Sequence, residues 1–350
     1  MRYQPFVFLV ILILTLSSCK SEHLEKKPLF EIILNAKNIT KDSRHIIALR
    51  NKENLTIERV VYTIDKDTLA IKNDSLQFAV TSLGNKVLTA TVFSNGETHT
   101  ATKKIKVLNN KAPQIYTYTV INEFKHDPNS YTQGLEFSKD ILYEGTGKRG
   151  KSVLRAIDYK TGAIIREVPL DASYFGEGIT IMDSTIYQLT WQSKVGFMYD
   201  LASMEKRNNF QYGKSVEGWG LANDGTKLYK SDGTEKIWFL NKDTLKEEGH
   251  IEITTNTAIL NKANELEYHN GKLYANVYQK PSVMIIDSKT GALDGVVNFG
   301  GLSKRIKKPT NWNPKDQVLN GIAYHKGRNT FFVTGKEWDV LFEVQIHKKQ

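Results

Sequence analysis

Five short segments of this chain repeat one another, and their spacing leaves few folds open. In order they are Gly134-Leu135-Glu136-Phe137, Gly178-Ile179-Thr180-Ile181, Gly220-Leu221-Ala222-Asn223, Glu265-Leu266-Glu267-Tyr268 and Gly321-Ile322-Ala323-Tyr324, at intervals of 44, 42, 45 and 56 residues. A second strand follows each in constant phase, at Leu142-Tyr143, Ile186-Tyr187, Leu228-Tyr229, Leu273-Tyr274 and Phe331-Phe332. A period of this size is that of one four-stranded propeller blade. A third strand in four of the units ends in Asp158, Asp200, Asn241 or Asp287 before a turn, and turn signals recur at Lys160-Thr161-Gly162, Asn223-Asp224-Gly225 and Lys289-Thr290-Gly291. Nothing between Gln114 and Ile346 keeps a 3.6-residue period, so helices are expected to be few. The expected class is all-β, with a five-bladed β-propeller over 114–350. Its ring is closed by pairing the strand-like Ile115 to Ile121 into the last blade, which removes an exposed edge. The longer interval before the fifth repeat leaves a loop from Arg305 to Asp316, and long loops in compact domains tend to be functional.

A chain of 350 residues is too long for one ordinary core. Residues 30–110 change character, with period-two stretches at Leu55 to Tyr62 and Val87 to Phe93 and turn signals at Asn73-Asp74-Ser75, Gly84-Asn85 and Asn95-Gly96. They read as a small β-sandwich preceding the propeller, the alternative being an extended arm; Gly84 to Val107 resembles the last strands of immunoglobulin-like surface modules. A linker at Asn109 to Pro113 follows. At the other end, Arg2, the apolar run Phe6 to Leu16 and Leu16-Ser17-Ser18-Cys19 resemble a bacterial lipoprotein signal, 1–19, that would leave Cys19 lipidated. An ordinary secretory signal or an uncleaved anchor helix is the alternative. A polar tether, 20–29, would then hold a monomer in the bacterial cell envelope, anchored to membrane lipid outside the cytoplasm on the periplasmic or outer-surface face. With Cys19, the one cysteine, so used, no thiol remains for a disulfide, a metal or a nucleophile. The net charge of +10 is scattered, dense only at Lys304 to Lys308, and no nucleic-acid motif accompanies it. It reads as a solvated surface near anionic lipid, with no nucleic-acid partner.

The residues leading into the repeats are more polar and aromatic than a scaffold needs. They are Tyr131 and Gln133, Phe175 and Glu177, Glu217 and Trp219, Asn264 with Glu265, and Asn320; Trp191, Tyr278 and Lys336 stand one strand later in their own units. In a propeller such lead-in loops line one mouth of the channel, so these groups would face a common cavity. Tyr131-Thr132-Gln133-Gly134-Leu135, Phe175-Gly176-Glu177-Gly178-Ile179, Gln188-Leu189-Thr190-Trp191, Glu217-Gly218-Trp219-Gly220-Leu221, Asn264-Glu265-Leu266-Glu267, Tyr274-Ala275-Asn276-Val277-Tyr278 and Leu319-Asn320-Gly321-Ile322-Ala323 resemble the signature of the plant-type glutaminyl-peptide cyclotransferases. The resemblance runs from about Val120 to Val344 and leaves the N-terminal module outside.

That resemblance implies a five-bladed propeller that converts N-terminal glutaminyl residues of peptides to pyroglutamyl with loss of ammonia. It places catalytic groups on Glu177, Asn264 and Lys336, and substrate-binding groups on Tyr131, Gln133, Phe175, Trp191, Trp219 and Tyr278. Tyr131 stands where the family commonly has Phe, and Tyr278 where it commonly has Trp; both keep an aromatic face. The chemistry asks for such a set: a carboxyl such as Glu177 to take and return a proton, aromatic walls to hold the chain folded, and Gln133, Asn264 and Lys336 as hydrogen-bond partners. Glu217 is a candidate second acid, Glu265 and Glu267 serve either the channel or neighbouring backbone, and Trp238 belongs to the core. The eight histidines show no zinc-ligand spacing, so neither metal nor cofactor is expected. Neither a Gly-x-Ser-x-Gly elbow nor a P-loop occurs. The rival reading is a non-catalytic propeller that binds peptide or glycan at the envelope.

Overall fold

The computed structural model describes residues 28–349 apart from positions 35, 37, 38, 66 and 81, so the signal, Cys19 and most of the tether lie outside the described residues. The architecture is all-β and propeller-like; among the described residues the one helical element is a 3-10 turn at Leu302–Lys304. Antiparallel four-strand meanders follow one another. The first is Thr132–Ser138, Ile141–Thr146, Val153–Asp158 and Ala163–Pro169; the second Gly176–Met182, Thr185–Thr190, Val195–Asp200 and Lys206–Gln211; the third Leu221–Asn223, Lys227–Ser231, Lys236–Asn241 and Glu247–Glu252. The fourth is Ala263–His269, Lys272–Val277, Ser282–Asp287 and Leu293–Asn298. The last has Leu319–His325, Thr330–Gly335 and Val340–Lys348, and takes its outer strand, Gln114–Lys125, from before the first. That strand also pairs in parallel with Gly295 to Val297 through Gln114 to Tyr116. The closing strand read from Ile115 to Ile121 is therefore present and longer at both ends.

The repeat motif has a steric cause. The first strand of each meander packs against that of the next, and the last returns to the first. At those seams a Cβ on Gly178 would stand 2.6 Å from the Trp219 carbonyl oxygen, and one on Gly220 2.0 Å from that of Asn264. The fourth repeat has Glu265 instead, and its carboxylate accepts the backbone N–H groups of Leu135 at 3.2 Å and Ile322 at 2.8 Å. Of the two roles read for Glu265, the bond to neighbouring backbone is the one observed. Gly220→Ala is expected to lose about 1–3 kcal/mol of stability through overpacking. Gly249→Ala, on an outer strand with only Phe239 Cδ2 at 3.7 Å, should be neutral or stabilising. Urea denaturation of the pair checks this, and equal losses would remove the seam argument.

The carboxamide and carboxylates ending the third strands shape the outer turns: Asp158 Oδ1 accepts from Lys160 N, Asn241 Oδ1 from Asp243 N and Thr244 N, and Asp287 Oδ1 from Lys289 N and Thr290 N. Trp238 is buried, as expected, with its indole N–H on Asp232 Oδ2 at 2.7 Å.

Before Gln114 two sheets enclose one core. One orders Phe30–Leu34, Arg44–Asn51, Ser75–Gln77 and Ile71–Lys72; the other Ile39–Thr40, Glu97–Leu108, Gly84–Ser94, Ile57–Ile64 and Asp67–Thr68. Phe30, Ile32, Tyr62, Ile64, Leu76, Leu88 and Val92 fill the space between them. Asn95 and Gly96 both have positive φ and join strands paired at Ser94 and Glu97, the two-residue hairpin their sequence predicts. Gly84-Asn85 is a correction: it opens a strand instead of making a turn. The Asn85 backbone N–H and side-chain amide both donate to Glu252 Oε2, at 2.9 and 2.7 Å, which ties this module to the outer strand of the third meander.

Candidate active site

In four of the five meanders the start of the first strand is irregular at positions that carry chemistry. Ladder register shifts between Thr132 and Gly134, Gly176 and Ile179, Ala263 and Leu266, and Leu319 and Ile322. A bulge turns side chains off the alternating pattern, and the residues inside these four include Gln133, Glu177, Asn264 and Asn320. Of the twelve residues expected to face a common cavity, ten line one of about 380 Å³, namely the nine assigned catalytic or binding roles and Glu217; Glu265 and Asn320 do not line it.

Glu177 lies at its floor, 4% exposed. Its Oε1 accepts Gln133 Nε2–H at 2.9 Å, and its Oε2 is buried without a hydrogen-bond partner among the described residues. The orientation of Gln133 is set from behind, because Asn320 Nδ2 donates to its Oε1 at 2.9 Å and to the Thr132 carbonyl at 2.9 Å. The amide chain from Asn320 through Gln133 thus fixes which carboxylate oxygen stays free. Burial pushes the Glu177 carboxyl well above the usual range; the Lys336 ammonium pulls it down and the Glu217 charge adds to the rise. Lys336, 3% exposed, is lowered by burial and partly restored by Glu177 and Asp316. Its Nζ sits 4.6 Å from the Tyr131 ring centroid and 5.6 Å from that of Tyr278.

The walls are two aromatic groups. Phe175 meets Tyr131 edge-on at 6.1 Å and Trp191 at 5.5 Å; Trp219 meets Tyr278 at 5.3 Å. Glu217 binds the groups together, since its Oε2 accepts the indole N–H of Trp191 at 2.6 Å and of Trp219 at 2.7 Å, while Oε1 accepts Gln192 Nε2–H at 3.2 Å. A carboxylate so occupied is a brace for the walls. Asn264 lines the cavity, its backbone carbonyl held by Ser231 Oγ–H at 2.7 Å.

Sequence reasoning missed a layer around these residues. The Tyr131 hydroxyl donates to Asp316 Oδ1 at 2.5 Å, which pins the long loop to the first meander. The same loop is held by Gln279 Nε2–H on the Lys315 carbonyl, by Gln317 Nε2–H on Glu337 Oε2 and by Trp338 Nε1–H on the Gln317 carbonyl. Lys148, ion-paired with Glu337, faces the Tyr131 ring at 4.5 Å. The signal for the Asp316 bond was available in part: a tyrosine where phenylalanine is common carries a hydroxyl that needs a partner.

A closed floor with one free carboxyl oxygen, a neighbouring ammonium and aromatic sides can hold a small folded substrate, move one proton and steady an oxyanion. Known proteins share the frame. A family model described as Glutamine cyclotransferase matches residues 87–346. The match therefore starts inside the strand Gly84–Ser94 and takes in the last two long strands of the N-terminal module, which corrects the limit read at Val120. Glutaminyl-peptide cyclotransferase of Arabidopsis thaliana is 37% identical over 228 residues, 65% of this chain and 70% of that protein. The crystal structure of Myxococcus xanthus glutaminyl cyclase superposes with a TM-score of 0.63 at 30% identity, covering 68% of this chain and all of the other. The chain belongs to the glutamine cyclotransferase family.

Proposed function

We propose that this protein is an enzyme that cyclises N-terminal glutaminyl residues of peptides or proteins to pyroglutamyl residues, releasing ammonia by metal-independent intramolecular aminolysis. The observation that carries the reading is Glu177: a buried carboxyl, raised in pKa, that lines an aromatic cavity beside Lys336, with one oxygen fixed by Gln133 and the other buried without a hydrogen-bond partner among the described residues. Family membership supports it independently.

In the proposed reaction the aromatic walls fold the first residue so that its α-amine nitrogen reaches the γ-carboxamide carbon. The new C–N bond forms as Glu177 Oε2 accepts a proton from the amine. The carbonyl oxygen takes the negative charge, which Lys336 and Asn264 steady. Collapse breaks the bond to the carboxamide nitrogen, and Glu177 returns its proton so that ammonia leaves. Tyr131, Gln133, Phe175, Trp191, Trp219 and Tyr278 bind and orient the substrate.

The same proposal assigns 114–350 to a five-bladed propeller and 30–110 to an immunoglobulin-like sandwich. Residues 1–19 act as a lipoprotein signal and 20–29 as the tether, so that a monomer is anchored by acylated Cys19 in the bacterial cell envelope outside the cytoplasm. Its support is the repeat spacing, the two-sheet core and the Leu-Ser-Ser-Cys sequence. The functional test is ammonia release from a Gln-initiated dipeptide, with the N-acetylated peptide as control and a chelator present. Ammonia from the free-amine peptide alone is the expected result. Silence from folded protein across several Gln peptides would overturn the enzyme and favour a peptide- or glycan-binding propeller.

A further inference from the structure

Lys230 lies outside the cavity, yet it is a fully buried charge next to it, on the strand Lys227–Ser231. Its Nζ donates to Glu247 Oε1 at 2.8 Å and to the Ser215 hydroxyl, and stands 3.6 Å from the Tyr212 ring centroid. Two branches lead from it to the tryptophan walls. Along one, Tyr212 grips Thr190, its hydroxyl accepting from Thr190 N at 2.8 Å and donating to Thr190 O at 2.9 Å; Trp191 is the next residue. Along the other, the Glu247 carboxylate accepts the N–H groups of Lys214 at 2.5 Å and Ser215 at 3.0 Å and the Ser215 hydroxyl at 2.5 Å. Two residues on is Glu217, which holds the indole N–H of both Trp191 and Trp219.

A buried ion pair is a poor device for stability, because the cost of removing two charges from water offsets their attraction, and apolar residues of similar volume do as well or better. What this pair supplies is direction. Four donors converge on one carboxylate, and together they fix the course of residues 214–217. The repeat register points the same way. The residue after the Leu-Tyr pair is Glu144 in the first meander and Lys230 in the third, both fully buried. Glu144 likewise grips its lead-in, accepting from Ser130 Oγ–H at 3.1 Å and Thr132 Oγ1–H at 2.6 Å on either side of Tyr131. The position is Gln188, also buried, in the second meander, and Ala275 or Val333 in the fourth and fifth.

We propose that Lys230 and Glu247 are positioning residues for the reaction: they hold the segment before Glu217 so that its carboxylate aligns the Trp191 and Trp219 walls around the substrate. This rests on the cyclase reading for its kinetic part only. The test uses the full chain with Lys230→Met, and with the double variant Lys230→Met/Glu247→Leu in which no charge is left unpaired. Stability is read by urea denaturation and kcat/KM on a Gln dipeptide per folded protein. The wall itself is read by fluorine NMR of 5-fluorotryptophan protein, with the Trp191 and Trp219 signals assigned by Trp→Phe variants.

The single variant is expected to lose both stability and activity. The double variant should recover the part of the stability lost to the unpaired charge, though the Lys214 and Ser215 donors lose their acceptor, while its kcat/KM stays down about 10–100-fold, since small misplacements of a substrate-holding group cost that much, with both wall signals shifted. A double variant with wild-type kcat/KM and unshifted signals would overturn the proposal, because it would reduce the pair to structural filling. If the wild type releases no ammonia from any Gln peptide, the cyclase reading fails, and the fluorine signals still decide whether Lys230 sets the wall.

Discussion

Glu177→Gln is expected to lower kcat on a Gln dipeptide by about 10²–10⁴-fold, the usual contribution of one positioned proton-transfer group. Affinity for the peptide should change little. The substitution is nearly isosteric, and the glutamine carbonyl can still accept the Gln133 Nε2–H bond made to Oε1 at 2.9 Å. What disappears is the titratable proton site at Oε2, the atom without a hydrogen-bond partner among the described residues. Stopped-time ammonia assays with calorimetric binding of a non-cyclisable N-acetylglutaminyl peptide separate the two effects. A variant that keeps wild-type kcat removes Glu177 from the mechanism.

The same substitution should stabilise the fold, and the sign follows from the direction of the pKa shift. Burial holds the Glu177 carboxyl well above its ordinary 4.5 in the native protein. Between that value and the raised one, the native state keeps a proton that the unfolded chain has lost, so native stability falls as pH rises through the window. Glutamine has no such dependence. The gain in Tm of Glu177→Gln over wild type should therefore be near zero around pH 4.5 and grow as pH rises through that window. A gain that shrinks with rising pH would mean the carboxyl is ionised at little cost.

The parts of the molecule legible in the sequence are those that local backbone geometry imposes. Glycine at Gly178 and Gly220 is demanded by carbonyl oxygens of the adjoining strand, and Asn95-Gly96 by two positive φ angles. Because the repeats fix a common register, residues just before them could be gathered into one site although Tyr131 and Lys336 are far apart in the chain. Side chains that act through other side chains carry no such periodic mark. Asp316 sits in an aperiodic loop 185 residues from Tyr131, and no local pattern announces their bond. Lys230 follows Leu228-Tyr229 in a strand where a lysine reads as solvent-facing by composition, and so does Glu144 at the matching position, yet both are buried. Glu217 was seen as an acid, but its two indole donors come from Trp191, on the loop closing the preceding hairpin, and from Trp219, two residues on. Gly84-Asn85 misled for the same reason: its partner, Glu252, belongs to another meander.

Lys336 decides whether the carboxyl at the floor can work as a base at all. Its ammonium opposes the rise that burial imposes on Glu177, and it stands near enough to the cavity to meet negative charge forming on the substrate carbonyl. Lys336→Met keeps the length and the packing between the Tyr131 and Tyr278 rings while deleting the charge. Losing one preorganised group at an oxyanion typically costs about 10²–10³ in kcat, and that is the expected fall. A second change separates this role from bulk packing. Without the ammonium, the Glu177 carboxyl rises further, so the acid limb of the kcat/KM profile should move to higher pH. A purely structural lysine would lower activity at every pH alike, leaving the limb in place. The opposite charge change gives the control: Glu217 adds to the rise of Glu177, so Glu217→Gln should move the limb to lower pH. Limbs that shift in opposite directions would place the two residues on either side of the same titrating carboxyl, and limbs that stay together would assign the profile to another group.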